Sequence, residues 1–113
     1  MQKMKQLKKR YGVIADYMHL GGNSDDENVA LLIAYLRKMN DELNIPHSIN
    51  HYGADGLPAD TGFVSEDVFL ARVDNIAALA IEDACTGSNP RIPTQEEMVE
   101  LLKACYYDSE VDF

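Results

Sequence analysis

The sequence predicts an all-α chain, a helical bundle of about five helices. Three observations carry that expectation. Apolar residues return every three or four positions in several separate segments, which is the period of a helix face. Two of those segments open on a capping box, Ser24 with Glu27 and Thr94 with Glu97. No run alternates apolar and polar residues for long enough to form a strand.

The first helix is written by Leu7, Tyr11, Ile14 and Met18, which recur on one face. The stretch HLGGN should end it, with Gly21 and Gly22 free to take positive φ at the C-cap. Ser24 then caps the second helix, and Asp25 and Asp26 in its first turn favour the positive end of its dipole. Its apolar stripe runs through Val29, Leu32, Ile33, Leu36, Met39 and Leu43. A short helix is expected over NIPHSINHYG, with Pro46 in its first turn and Gly53 at its exit. GADGLPADTG is dense in Gly, Pro and Asp and reads as a surface loop. Ser65 caps the next helix, whose face passes through Phe69, Val73, Ile76 and Ala80 towards Cys85, with a break near Asp74. After the turn TGSNPRIP, Thr94 starts the last helix, and Met98, Leu101, Leu102 and Cys105 form its buried stripe.

Size and composition narrow the classes of function. A chain of 113 residues builds one core, burying roughly two-thirds of its unfolded surface. At 46% hydrophobic it is too apolar for disorder, and no stretch approaches the roughly 18 apolar residues of a membrane span. The basic start, MQKMKQLKKR, is followed by no continuous apolar region, so no secretory signal is expected. Cys85 and Cys105 lie far apart and match no CxxC pattern, which suits reduced thiols in the cytoplasm. The net charge of −9 opposes a general affinity for nucleic acid. Lys3, Lys5, Lys8, Lys9 and Arg10 crowd the start while Asp108, Glu110 and Asp112 mark the end. The basic cluster reads as a solvated helix face, or as a face meeting an acidic partner.

The residue types that carry chemistry form no self-contained active site. His47 and His51 are spaced to share a metal on one helix face, but Ser48 stands where the zinc-protease pattern has Glu, and His19 is the only other histidine. Two exposed polar residues on a surface helix are the favoured reading. Cys85 sits at a helix C-terminus, where the negative end of the dipole opposes a thiolate, so a small residue packed in a turn is favoured over a nucleophile. Asp16, Glu82 and Asp83 have no partner placed opposite them and read as solvated charges. No GxGxxG and no GxxxxGK[ST] is present.

Three segments nevertheless form a pattern: RYGVIADYMHLGGNSDDENVALLIAYLRKMNDELNIPHSI, then DACTGSNPR, then LLKACYYD. They resemble the C-terminal end of the iron-containing alcohol dehydrogenases, and most of all the alcohol dehydrogenase half of the bacterial bifunctional aldehyde–alcohol dehydrogenases. The resemblance runs from about Lys9 to about Tyr107, and CTGSNPR is its most specific piece.

That resemblance implies that residues 1–113 are the C-terminal part of the family's helical domain, with the nucleotide-binding domain and the metal-ligand segment absent. The whole enzyme would interconvert acetaldehyde, or a similar short aldehyde, and its alcohol with NAD, its iron polarising the carbonyl oxygen. The chain itself would bind neither NAD nor iron and would be inactive alone. None of His19, His47 and His51 falls at a ligand position in the family pattern. The resemblance also implies that Cys85, Thr86 and Gly87 line the substrate pocket, a compact residue at position 85 setting its width, while Asn89, Pro90 and Arg91 hold the turn. Its partners would be the rest of the dehydrogenase chain and a small aldehyde or alcohol, with neither nucleic acid nor membrane involved. The parent would be a homo-oligomer or filament. Asn50 to Phe63 and the tail DSEVDF depart from the pattern. The competing reading is an independent helical interaction module that binds through its basic first helix or its acidic tail.

Overall fold

The computed structural model describes residues 2–52 and 63–113. Among these residues all regular structure is helical. Four α-helices, α1 (Gln2–Tyr17), α2 (Asp25–Glu42), α3 (Glu66–Glu82) and α4 (Gln95–Tyr107), are accompanied by two 3₁₀ turns, Ile49–His51 between α2 and α3 and Thr86–Ser88 between α3 and α4. NIPHSINHYG is therefore not an α-helix: only Ile49–His51 coils, and Pro46 and His47 precede it. Gly53 and most of the loop expected between Asn50 and Phe63 lie outside the described residues. Contacts divide the chain into two compact units, one ending at Ile45 and the other beginning at Pro46.

In the first unit α1 packs on α2 through small residues. Gly12 and Ala15 are buried and Leu7 and Met18 half-buried, while Tyr11 and Ile14 are exposed. The buried stripe is thus rotated by about one position from the face the apolar residues draw. Small residues let the helices meet closely there: a Cβ on Gly12 would already be in ordinary contact with the Asp25 Cα, at 3.6 Å. Lys8 Nζ spans the same seam to Asp26 Oδ1 at 2.6 Å, which spends one charge of the basic cluster within the chain.

The α1 exit differs from the glycine cap expected. His19 is the left-handed residue, φ 57°, with Leu20 N–H donating to Ala15 O at 3.1 Å and His19 N–H to Asp16 O at 3.0 Å, a Schellman motif. Gly21 follows with φ 85°, whereas Gly22 serves by its lack of bulk. A Cβ there would meet Asn28 Oδ1 at 2.2 Å and Asn28 N at 2.9 Å. The helices α2 and α4 likewise end on non-glycine residues in the left-handed region, Asn44 at 56° and Asp108 at 55°. Short polar side chains tolerate that conformation better than most.

Ser24 Oγ accepts the Glu27 N–H at 3.2 Å as expected, but Glu27 Oε2 takes the N–H of Asn23, at 2.8 Å, rather than that of Ser24. The most buried side chain of α2 is polar: Asn28 is 4% exposed and donates from Nδ2 to Asp16 Oδ1 at 2.8 Å. Of the predicted stripe, Leu32 is buried and Val29 half-buried, while Ile33, Leu36, Met39 and Leu43 are exposed, Leu43 to 62%.

The second unit holds the chain's core cluster: Phe69, Val73 and Ala77 from α3, and Met98, Val99 and Tyr106 from α4. Phe69 and Tyr106 stack with ring centroids 4.2 Å apart and planes 13° off parallel. Burying a tyrosine requires a partner for its hydroxyl, and Tyr106 Oη donates to Val64 O at 2.8 Å. The helix α3 runs unbroken past Asp74, whose carbonyl also accepts from Gln95 Nε2 at 2.9 Å. Ser65 stands at its N-cap without a side-chain cap bond. Ile76, Leu101 and Cys105 are exposed, against expectation, because the contact face of each helix is centred on Ala77 and on Val99 with Tyr106. The turn Ile49–His51 also packs on α4.

Two tests follow from these contacts. Gly22→Ala forces a methyl into the buried Asn28 and is expected to cost about 1–3 kcal/mol. Gly12→Ala displaces only the exposed Asp25 carboxylate, so helix propensity should gain up to about 1 kcal/mol. Equal urea midpoints for the two variants would refute this account of the seam. Tyr107 Oη donates to Glu66 Oε1 at 2.6 Å, and that bond, reinforced by burial, pushes its phenol up to about 12. A raised folded-state value stabilises fully below the ordinary phenol range near ~10 and is lost as pH climbs towards the folded value. Thermal melts from pH 9 upward should therefore decline more steeply for the wild type than for Tyr107→Phe.

Candidate functional site

The segment 83–91 is the best-defined irregular part of the second unit, and its own side chains shape it. Asp83 closes α3, its N–H donating to Leu79 O at 3.1 Å. Its Oδ1 then accepts the N–H of Cys85 at 2.8 Å, an Asx turn that bends the chain away from the helix axis. Thr86 N–H returns to Asp83 O at 3.1 Å, and Thr86 Oγ1 donates to Ala80 O at 2.6 Å, one turn back inside α3. Both the N–H and the hydroxyl of Ser88 reach Cys85 O, at 3.1 and 2.7 Å. Asn89 N–H donates to Thr86 O at 3.1 Å, and Asn89 Nδ2 donates to Arg91 O. The peptide groups of Cys85 are thus fixed from both sides while its thiol is exposed.

Arg91 carries the turn onward to α4. Its Nη2 donates to Glu97 Oε1 at 2.5 Å and its Nη1 to Phe113 O at 3.2 Å. Its guanidinium lies 5.1 Å from the centre of the Phe113 ring. Glu97 is at the same time the returning half of the second capping box. Thr94 Oγ1 accepts the Glu97 N–H at 3.2 Å, and Thr94 N–H donates to Glu97 Oε2 at 2.9 Å. Here the box forms as the sequence predicts.

Cys85 and Gly87 are exposed and Thr86 is half-buried, so residues 85–87 present an open, compact surface. Gly87 has no positive φ, and a Cβ built on it meets nothing within 4 Å. Nothing among the described residues demands a glycine there. In this neighbourhood sequence reasoning missed Phe113, took Glu97 only as a helix cap without its bond to Arg91, and read Asp83 as a solvated charge although it shapes the turn. Two signals were available: Asp83 stands two positions before Cys85, the spacing of an Asx turn, and Ser88 stands three after it. The Phe113 contact left no local signal.

Among the other candidates, Asp16, Asp83 and His51 take part in local side-chain bonds. Asp16 is bonded to Asn28, and Asp83 caps α3. His47 and His51 do not share a helix face, because His47 precedes the turn that carries His51. His51 Nδ1 instead lies 2.6 Å from the buried Ser48 Oγ, which is also 2.5 Å from Asn50 Oδ1. With its single proton given to Asn50, the hydroxyl accepts from the imidazole. Among the described residues no group of three or more His, Cys, Asp and Glu side chains is placed to hold a metal ion, and no helix is long and apolar enough to cross a membrane. The open space at Gly87 makes Gly87→Ala a test of the turn: folding stability should be unchanged or raised by up to about 1 kcal/mol, read as the midpoint of urea unfolding, and a loss would mean that the chain itself needs the glycine.

The turn and its flanking helices have counterparts in known proteins. The family model for the C-terminal part of the Fe-containing alcohol dehydrogenases matches residues 1–106. The chain is 42% identical over 97 residues to an aldehyde-alcohol dehydrogenase of Clostridium acetobutylicum, an alignment covering 86% of this chain and 10% of that protein. It is 38% identical over 105 residues to an NADPH-dependent butanol dehydrogenase of Clostridium saccharobutylicum, covering 93% and 24%. It is 36% identical over 104 residues to the bifunctional aldehyde-alcohol dehydrogenase of Escherichia coli K12, covering 90% and 10%. The chain thus spans between a tenth and a quarter of the length of these relatives. With an all-helical fold and a match across almost its whole length, the chain belongs to the Fe-containing alcohol dehydrogenase family, in the region its C-terminal part occupies.

Proposed function

We propose that this chain is the C-terminal helical segment of an NAD-dependent, iron-containing alcohol dehydrogenase that interconverts a short aldehyde, acetaldehyde, and its alcohol, ethanol. In this reading Cys85, Thr86 and Gly87 form one wall of the substrate pocket. Asn89, Pro90 and Arg91 hold that wall in place. Iron and the nicotinamide cofactor are held by the rest of the enzyme, a cytoplasmic homo-oligomer or filament, and the segment alone does not turn over.

The observation that carries the reading is the unexplained glycine. The turn is tightly bonded behind Cys85 and open in front of it, and Gly87 is a residue whose small size the chain itself does not require. A small-molecule wall needs such a surface: rigid, compact, and free for another group to approach. The exposed apolar residues support a larger whole. Leu43 is 62% and Leu79 60% exposed, beside Ile33, Leu36, Met39 and Val68, more than an independent small module should leave to water.

Reading the open frame on both sides of the coding sequence tests the first part. A frame that also encodes a nucleotide-binding domain supports it; one confined to these residues overturns it. Within the longer enzyme, assayed with NADH and NADPH, Cys85→Ala should shift kcat/KM towards butyraldehyde over acetaldehyde by about tenfold, the discrimination that one methylene carries. Gly87→Ala should lower kcat/KM there while leaving stability intact. Unaltered specificity in both variants would remove residues 85–87 from the pocket.

A further inference from the structure

We propose that residues 108–113 form a strap that runs back along α4 and, through Phe113, fixes Arg91 and the exit of the 85–91 turn. This makes Phe113 and Arg91 positioning residues for that turn. The description of the turn as a pocket wall rests on the function proposed above; the strap does not.

The path follows from chain geometry. Asp108 takes the left-handed conformation at the end of α4, and Ser109 N–H bonds back to Ala104 O at 3.1 Å, which turns the chain out of the helix direction. Five residues later Phe113 touches Arg91, which is itself bonded to Glu97 in the first turn of α4. At 1.5 Å per residue, about 16 Å of helix separates Glu97 from Asp108. The five steps from Asp108 to Phe113 reach about 18 Å at most when extended. The tail must therefore run antiparallel to α4 in a nearly extended form, and residues 109–113 have no regular structure of their own.

The anchor is built on the planarity of arginine. Its Nη2 donates to a Glu97 carboxylate oxygen, its Nη1 donates to Phe113 O, and the guanidinium carbon stands over the Phe113 ring, 5.1 Å from its centre. A lysine ammonium cannot supply a fork and a flat face together. Upstream of Arg91 the turn is bound to α3 through Thr86 and to itself through Ser88 and Asn89. Arg91 therefore joins its exit to both α4 and the tail.

The test is hydrogen exchange on the 113-residue chain, which reads the turn without any catalysis. Phe113→Ala should speed exchange of the Ser88 and Asn89 amides about two- to fivefold, the range an exposed cation–π contact supports, and leave the α3 and α4 amides unchanged. Phe113→Tyr, which keeps the ring face, should restore wild-type exchange, and Arg91→Lys should behave as Phe113→Ala. Wild-type turn exchange in Phe113→Ala overturns the strap. So does a uniform acceleration across α3 and α4, which would mean the tail merely supports the unit as a whole. A confirmed strap beside unaltered substrate specificity in the Cys85 and Gly87 variants would sink the pocket reading alone.

Discussion

The carboxylate of Glu97 joins the start of α4 to the turn that precedes it. One oxygen receives the Thr94 N–H and so closes the capping box; the other receives Arg91. A helix N-terminus leaves backbone N–H groups without partners, and a charged oxygen there also meets the positive end of the dipole. Glu97 is therefore held by the helix before it meets Arg91, so the arginine finds a partner already in place. The exit of the 85–91 turn, and the Phe113 contact beyond it, both depend on that arrangement.

The turn is bonded differently at its two ends. Towards α3 it relies on short-range bonds: Asp83 to Cys85, Thr86 to Ala80, Ser88 to Cys85. Such local side-chain bonds to backbone set a chain direction cheaply, since few residues are ordered to make them. Towards α4 it relies on Arg91, a long side chain that must be ordered by several partners at once. The Phe69–Tyr106 stack holds α3 and α4 side by side at the end of the pair away from the turn, while Ala77 and Met98 of the same core cluster lie on the halves of the helices that the turn joins.

The first unit follows a different logic. Its seam is made by Gly12, Ala15 and Gly22 and by the Asp16–Asn28 bond rather than by large apolar side chains. Close backbone approach yields dispersion contacts but buries little area, so most of the apolar stripe of α2 remains exposed. In a segment a tenth to a quarter the length of its relatives, such a face is in keeping with a role inside a longer enzyme.

Much of this was legible in the sequence because it is local. Helix period, the Thr94–Glu97 box and the turn residues Gly87, Asn89 and Pro90 depend on neighbours a few positions away, and CTGSNPR was specific enough to indicate the family. What the sequence misjudged is non-local. It drew the α1 face through Tyr11 and Ile14, yet the seam chose Gly12 and Ala15, because how closely two backbones approach depends on both helices. It assigned the α1 cap to glycines, yet His19 took the left-handed position and Gly22 was needed for Asn28. It buried Cys105, yet Tyr106 went inside because Phe69 and Val64 were there to receive its ring and its hydroxyl. The meeting of Arg91 with Phe113 bridges twenty-two positions, and no local pattern encodes it. Periodicity and capping thus determined which residues coil, while packing between helices decided which face each one buries, because a buried face is a property of two surfaces and a sequence window contains only one.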